Sequence, residues 1–444
     1  MTRVRRGRSG LTALLASAAV ALAGCGGPDG AAQRSGLAPA RALPGVTTTA
    51  TPTAPTPTAT GSDSPSAAPP SASVSPSPLV SPKALGPLEG SVTVLTYRGY
   101  AEYGGSDPQF NWVGPFESST GCRVNLRFPQ ASDQMDKFLA QTAYDVVSAP
   151  PDIAGRLIAE KKVVPLTTSL IPGYDDIPQW LRSQRSATAG GDQVYGLPYL
   201  WGSYMTLYDS ARTHPGKGAT IYSDRGPVMF RDSPLSIADA ALALKKQRPK
   251  LGVKDPFELT PRQLDAAMAL ITERRGVERS FWKDPIDALQ GFAGESVRMG
   301  RALPYHLDLL RGAGWPVKVL DDGPTTGWVD SWMVSAQAPS PNCAYKWLDW
   351  IGSAKVQQQA AVWNGLAPAN PDACTWAPKK SYETEKSRRQ TERASRICAG
   401  YRVGDTAWLK KIHFAVRPVS DCEGRDGECT DYAEWAARWQ QLVK

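Results

Sequence analysis

Residues 26 to 88 cannot build a core, and this confines whatever the chain folds into to the sequence that follows. The stretch is made of Pro, Ser, Thr, Ala and Gly, as in Thr47 to Thr60 (TTTATPTAPTPTAT) and Ser64 to Pro82, and carries no apolar periodicity. With nothing to bury against the entropy of ordering, it reads as a disordered leash. Its r.m.s. reach is roughly 40 Å when flexible, and longer where prolines impose polyproline II. A glycosylated stalk would be stiffer and serve the same purpose. Folding is left to Gly90 to Lys444, roughly 355 residues, which is more than one core usually supports. Two lobes are therefore expected, and two lobes make a cleft.

Ahead of the leash, Arg3, Arg5, Arg6 and Arg8 precede an apolar run from Leu11 to Ala23. A charged start, a short apolar middle and small residues before the cut fit an export signal over 1–24, and the run is too short to span a bilayer. Leu22-Ala23-Gly24-Cys25 resembles the bacterial lipoprotein motif. That resemblance implies that Cys25 is acylated and anchors the chain to the extracellular face of the cytoplasmic membrane in a bacterial cell envelope. The alternative is an ordinary secreted protein with a chance cysteine near the cut. Loss of the four leader arginines lowers the formal charge from +8 to +4. Such a balance gives no reason to expect nucleic acid, and no Lys/Arg cluster with interleaved aromatics marks a phosphate track.

Six further cysteines, Cys122, Cys343, Cys374, Cys398, Cys422 and Cys429, read as three disulfides in an exported chain. Spacing favours Cys422 with Cys429 across the loop Glu423 to Glu428, then Cys374 with Cys398, which leaves Cys122 for Cys343. A metal site is not expected: there is no C-x-x-C, and His214, His306 and His413 are the only imidazoles. No cofactor is implied.

Beyond Gly90, short β-rich runs alternate with amphipathic segments. Ser91 to Tyr97, Cys122 to Phe128 and Tyr144 to Ser148 read as strands, separated by helices over Phe110 to Gly121 and Asp133 to Thr142. The theme returns in Val228 to Arg231, Ile237 to Lys246, Pro261 to Arg274 and Val317 to Leu320. An α/β fold with mostly parallel sheets follows, with ligand groups in loops at the carboxyl ends of strands. Tyr97, Tyr100 and Asp152 stand just after such strands. A strand over Gly327 to Ser335, helices over Asn342 to Ile351 and Val356 to Trp363, and a last helix from about Tyr432 to Leu442 complete the pattern.

Three separated pieces then resemble the extracellular solute-binding proteins of ABC transporters, in particular the spermidine/putrescine-binding branch. The first is Leu95-Thr96-Tyr97-Arg98-Gly99-Tyr100 with Phe116 to Val124, similar to a helix-to-strand step F-x-x-x-T-G-x-x-V. The second is Tyr144-Asp145-Val146-Val147 with Tyr195 to Gly202, similar to Y-x-x-P-Y-x-W-G. The third is Gly327-Trp328-Val329-Asp330-Ser331, in the place of a W-x-D-x ligand strand, with Asn364 to Asn370 further on. The resemblance implies a two-lobed periplasmic-binding-protein-like fold of type II, each lobe a mainly parallel sheet flanked by helices, with the ligand cleft between them. Lobe one would take 89–205 and lobe two 206–325, with 326–444 returning to lobe one and ending in C-terminal helices. Residues 200–210 and 322–332 would be the hinge crossings.

That family sandwiches a polyamine between aromatic rings and holds its ammonium groups with carboxylates. The chemistry is sound: cation-π faces and buried carboxylates offset the cost of stripping water from each charge. Tyr97, Tyr100, Trp328, Asp330 and Asp232 match ligand positions of the family. The match breaks at Leu235, where a second carboxylate is usual, at Leu303 and Leu366 in place of pocket aromatics, and near Pro150 in place of a serine. Asp152 is the candidate to replace the missing carboxylate.

The function implied is capture of a small, polyamine-like cation by lobe closure and delivery to a permease and its ATPase, by a monomeric, lipid-anchored receptor without catalysis. Two other classes share the cleft: a surface-anchored enzyme and an adhesion or interaction protein. No H-E-x-x-H, G-x-S-x-G or P-loop supports an enzyme. A carboxylate pair for hydrolysis leaves no trace in sequence order.

Overall fold

The computed structural model describes residues 81–444 apart from 106, 130–131, 142, 191–192, 224–225, 273–278 and 423–427. The export signal, Cys25 and the leash up to residue 80 lie outside the described residues, as does most of the loop between Cys422 and Cys429.

Strands occur in chain order as β1 (Ser91–Leu95), β2 (Arg123–Arg127), β3 (Val146–Ala149), β4 (Thr188–Ala189), β5 (Gln193–Val194), β6 (Gly196–Ser203) and β7 (Met205–Asp209). Then come β8 (Val228–Arg231), β9 (Arg279–Trp282), β10 (Met299–Ala302), β11 (Val317–Leu320), β12 (Thr325–Val334), β13 (Ala367–Pro368) and β14 (Ile412–Phe414). One sheet has the order β13-β6-β12-β3-β1-β2, with β14 also on β12, and the other has the order β11-β7-β10-β8-β9. Each sheet is the floor of one lobe; β4 and β5 form a separate small hairpin.

The sheets are mixed, which corrects the expectation of mainly parallel ones. β1 pairs in parallel with β2 and β3, and β8 with β9 and β10, but β12 runs antiparallel to β3 and β6, and β7 to β10 and β11. Parallel neighbours need a long crossover, usually a helix. β6 and β7 are separated by Tyr204 alone and β11 and β12 by four residues, so the segments that change lobes enter without one.

Proline places the helices. Pro151, Pro285, Pro304 and Pro341 each occupy the first turn of a helix, where the missing N–H costs no hydrogen bond and the fixed φ is already helical. The helices Pro151–Ala159, Pro285–Ala293 and Pro304–Gly312 follow β3, β9 and β10 directly, so their N-termini sit at the carboxyl edges of the sheets.

Trp112, Trp201, Trp332 and Trp347 are fully buried in the largest core. A second core joins Ile237, Leu244, Phe257 and Leu264 to Trp435 and Trp439. The last two belong to the C-terminal helix Tyr432–Val443, so 326–444 does not stay with lobe one: its final helix covers the second lobe. The chain thus passes between the lobes a third time after β14.

All three cysteine pairs read from spacing are present: Cys122–Cys343, Cys374–Cys398 and Cys422–Cys429. The first joins residues 221 apart, a cross-link that removes ~5 kcal/mol of unfolded-chain entropy in the loop-closure picture. The other two pin C-terminal segments, which close shorter loops.

Beside the hinge strands lies a buried ion pair. Arg301 of β10 is 4% exposed and gives Nη2 to Asp239 at 2.7 Å and to the Thr325 hydroxyl at 2.9 Å. Asp239 also accepts from Thr326 at 2.7 Å, so lobe two is tied to the first residues of β12.

Candidate ligand-binding cleft

β12 carries the centre of the site. Trp328 and Asp330 are two apart on a strand and therefore share a face. Opposite them in β6, Pro198 has no N–H to give the ladder, and the register slips between Asp330 and Ser331, which pair with Leu200 and Pro198. Such a bulge bends the strand and re-aims its side chains. Gly202 pairs with Trp328, and a Cβ on it would come within 2.3 Å of the indole, so only glycine lets the ring lie against β6.

Tyr97 and Tyr100 come from the turn after β1. Gly99 takes a φ of +87° there, its N–H donates to Glu102 at 2.8 Å, and its carbonyl accepts from the Asn364 amide at 2.8 Å. The two tyrosine rings meet edge to face with centroids 6.4 Å apart. Tyr199 backs Tyr100 at 5.6 Å between centroids and donates its hydroxyl to the Tyr100 carbonyl.

These elements converge on Asp330. The Tyr100 hydroxyl donates to its Oδ2 at 2.5 Å, and Nε1 of Trp328 donates to the same atom at 3.1 Å. Oδ1 receives no donor among the described residues. Burial pushes the Asp330 carboxyl up to about 7, with a further push from the charge of Asp152; its two hydrogen bonds pull the other way without offsetting this.

Asp152 lies in the first turn of Pro151–Ala159, beyond β3. It accepts from the Tyr432 hydroxyl at 3.0 Å, and its carbonyl accepts from Arg417 at 3.1 Å. The guanidinium of Arg417 stacks 4.5 Å from the Tyr432 ring centroid. Gly155 makes room for this, since a Cβ there would stand 2.7 Å from that of Arg417. Burial raises the Asp152 carboxyl above its usual range, opposed first by the Tyr432 hydrogen bond.

The structure therefore groups Tyr97, Tyr100, Trp328 and Asp330, with Asp152 within electrostatic reach. Asp232 is engaged elsewhere: it accepts from Nε1 of Trp439 at 2.6 Å and lies 3.7 Å from the Lys283 ammonium. Leu303 and Leu366 are buried, and Leu235 packs on the second core.

Three side chains here went unread in the sequence. Tyr204, at the crossing, packs against Trp328 at a tilt of 35° with centroids 5.0 Å apart, while Tyr432 and Arg417 arrive from the third passage between lobes. Tyr204 falls within the hinge read at 200–210. Nothing local marks the other two, which contact a residue more than two hundred positions earlier.

The two sheets are joined through Tyr204 and residues 321–324, and the aromatic and acidic side chains gathered on Asp330 come from β12 and the turn after β1. A family model of bacterial extracellular solute-binding proteins matches residues 111–386, and the chain belongs to that family. Among solved structures, it is similar to a putative spermidine/putrescine ABC transporter from Listeria monocytogenes at 14% identity, over 80% of this chain and 98% of that one, with a TM-score of 0.56. The TpPotD lipoprotein of Treponema pallidum matches at 14% identity over 79% of this chain and 99% of its own, TM-score 0.57. The Atu4243–GABA receptor matches at 16% identity over 80% and 98%, TM-score 0.57. These likenesses carry the two-lobed fold. Membership of that family makes the protein an extracellular solute-binding protein.

Proposed function

We propose that this chain is the lipid-anchored receptor of an ABC importer, capturing a small cationic, polyamine-like solute between its lobes and handing it to a permease and its ATPase. Asp330 carries the reading. One of its oxygens is held by the Tyr100 hydroxyl and the Trp328 indole N–H while the other has no donor among the described residues, and the Tyr97 ring packs edge to face with that of Tyr100. An ammonium group satisfies that oxygen and supplies the charge that lets Asp330 ionise. Asp152 is the proposed second anchor; Asp232, already held by Trp439 and Lys283, is left out of the set. Cys25 would carry the acyl anchor, with the leash letting a monomeric capture module search near its permease.

Closure follows if the solute contacts both lobes and so favours the closed state over the open one. A thermal-shift panel of putrescine, spermidine, 4-aminobutyrate and quaternary amines tests the reading, repeated on Asp330→Ala. Binding to the native state raises the midpoint. Polyamines are expected to give the largest shift, and the variant to lose it. A shift from 4-aminobutyrate alone, or shifts retained in Asp330→Ala, would defeat the proposal.

A further inference from the structure

We propose that the face formed by residues 379–396 rests on an anionic phospholipid surface and orients the folded module against the membrane. The argument is independent of the cargo. This segment holds seven basic residues, Lys379, Lys380, Lys386, Arg388, Arg389, Arg393 and Arg396, against three acids, Glu383, Glu385 and Glu392. Its excess of four positive charges equals the whole net charge left after the leader is removed, so the rest of that chain is balanced. An average of +4 conceals this concentration, which is legible only when the charges are counted segment by segment.

The positions are presented outward. Lys379, Lys380, Lys386, Arg388, Arg389 and Arg396 are exposed. Arg389 pairs with Glu385 and Lys386 lies 3.7 Å from Asp107, whereas Lys379, Lys380, Arg388 and Arg396 have no ion pair among the described residues. Arg388 and Arg396 line a groove of about 480 Å³ with Ser387, Thr391 and Ser395, and the carboxylates of Glu383 and Glu392 line it too. Each of those hydroxyls already donates to a carbonyl, at Thr384, Trp376 and Cys374 respectively. The guanidinium groups are thus its available donors for a phosphate oxygen.

A second observation selects the partner. Tyr382, between the lysine pair and the helix Glu385–Tyr401, is 75% exposed, more than any other large apolar side chain described. A tyrosine just after a lysine pair suits the boundary between headgroups and water, with the ring inserted and the lysine charges at phosphate depth. A protein interface would need an apolar centre; here Tyr382 stands alone among charged side chains. The disulfide Cys374–Cys398 ties together the two ends of the segment that carries the patch.

Each basic residue near an anionic leaflet strengthens binding about fivefold, an attraction screened beyond a Debye length. The test uses the chain without residues 1–25, so that neither leader nor acyl group contributes. It is co-sedimented with vesicles of about one-third phosphatidylglycerol in phosphatidylcholine and with pure phosphatidylcholine. Binding is expected on the first, weakened by salt, and absent on the second. Combined Lys379→Ala, Lys380→Ala, Arg388→Ala and Arg396→Ala should lower partitioning about 100-fold or more. The thermal midpoint should hold, because all four side chains are exposed and unpaired. Tyr382→Ser should cost a few-fold. A matched control, Lys162→Ala, Lys246→Ala, Lys250→Ala and Lys254→Ala, should bind almost as the parent does. Equal binding to neutral vesicles, an unaffected quadruple variant, an equal loss in the control, or retention on a soluble polyanion without vesicle binding would each overturn the proposal.

Discussion

Tyr100 and Asp330 stand 230 residues apart and share one hydrogen bond of 2.5 Å, which lands on the oxygen that Trp328 also holds. The bond joins the turn after β1 to the longest strand of the fold, so the carboxyl is positioned by two elements of the same sheet. It is also kept from water: Asp330 is 6% exposed.

From that burial comes the first prediction. The folded carboxyl titrates at about 7, above its unfolded range, so between roughly pH 4 and 7 the native chain holds a proton that the unfolded chain has lost. The contribution to stability is complete below about pH 4 and is lost as pH rises through 7, a difference of ~4 kcal/mol as an upper figure. Asp330→Asn should raise the thermal midpoint at pH 8 without solute, where the wild-type charge is least tolerated. A midpoint at pH 8 unchanged from wild type would contradict it.

Binding of a cation reverses the same balance. An ammonium beside Oδ1 favours the ionised form, so the solute must displace a proton wherever the free protein is protonated. Affinity should fall by up to ~10-fold per pH unit below 7, with about half a proton released at pH 7 and nearly one at pH 6. Calorimetry in buffers of different ionisation enthalpy reads this directly. No proton release with a bound polyamine would place the ammonium away from Asp330.

Trp328 depends on a missing side chain. Gly202→Ala would set a methyl group 2.3 Å from its present ring atoms, so the indole must leave β6 and its contact with Tyr204. Overpacking of this kind usually costs about 1–3 kcal/mol. Solute affinity should fall by at least the loss in Trp328→Ala, since the ring is displaced into the cleft instead of removed. An alanine variant with full affinity and an unaltered tryptophan emission spectrum would show that the ring is not held this way.

Where signals are local, the chain was readable. β1, β2, β3 and the helix Ile237–Gln247 follow from periodicity and turn residues, and the disulfides Cys374–Cys398 and Cys422–Cys429 from short spacing. The motif resemblance singles out Tyr100, Trp328 and Asp330, and their hydrogen bonds bring them together although nothing in their spacing announces that they meet. What escaped depends on distant partners. Asp232 satisfies every local requirement of a ligand carboxylate, yet Trp439 reaches it from a helix 207 positions later. The bulge that aims Asp330 needs both Pro198 and the pairing of β6 with β12, and the second cannot be seen in either strand alone.

Asp152 separates charge from hydrogen bonding. Asp152→Asn keeps an oxygen for the Tyr432 hydroxyl and removes the negative charge, so stability should change little while affinity for a dication drops about tenfold. Tyr432→Phe does the opposite: it keeps the charge and removes the one side-chain donor the carboxylate has among the described residues, leaving backbone N–H groups, at a cost of about 1–3 kcal/mol. Denaturant titration and calorimetry on the pair distinguish a ligand from a structural clasp. Unchanged polyamine affinity in Asp152→Asn would remove it from the proposed set.

The hinge ion pair bears on closure. Arg301 is fully charged against Asp239 in a site where neither side chain exceeds 8% exposure, and both reach the hydroxyls that open β12. Removing one partner of a buried pair strands the other charge, which typically costs 3–5 kcal/mol. Asp239→Ala should therefore destabilise strongly, whereas Arg301→Met with Asp239→Leu should recover much of the loss, because two apolar side chains leave no charge behind. If the pair also sets the lobe angle, the double variant will fold yet scatter X-rays with a changed radius of gyration in the solute-free state. A double variant matching the parent in both stability and radius would show that the hinge geometry comes from the strands alone.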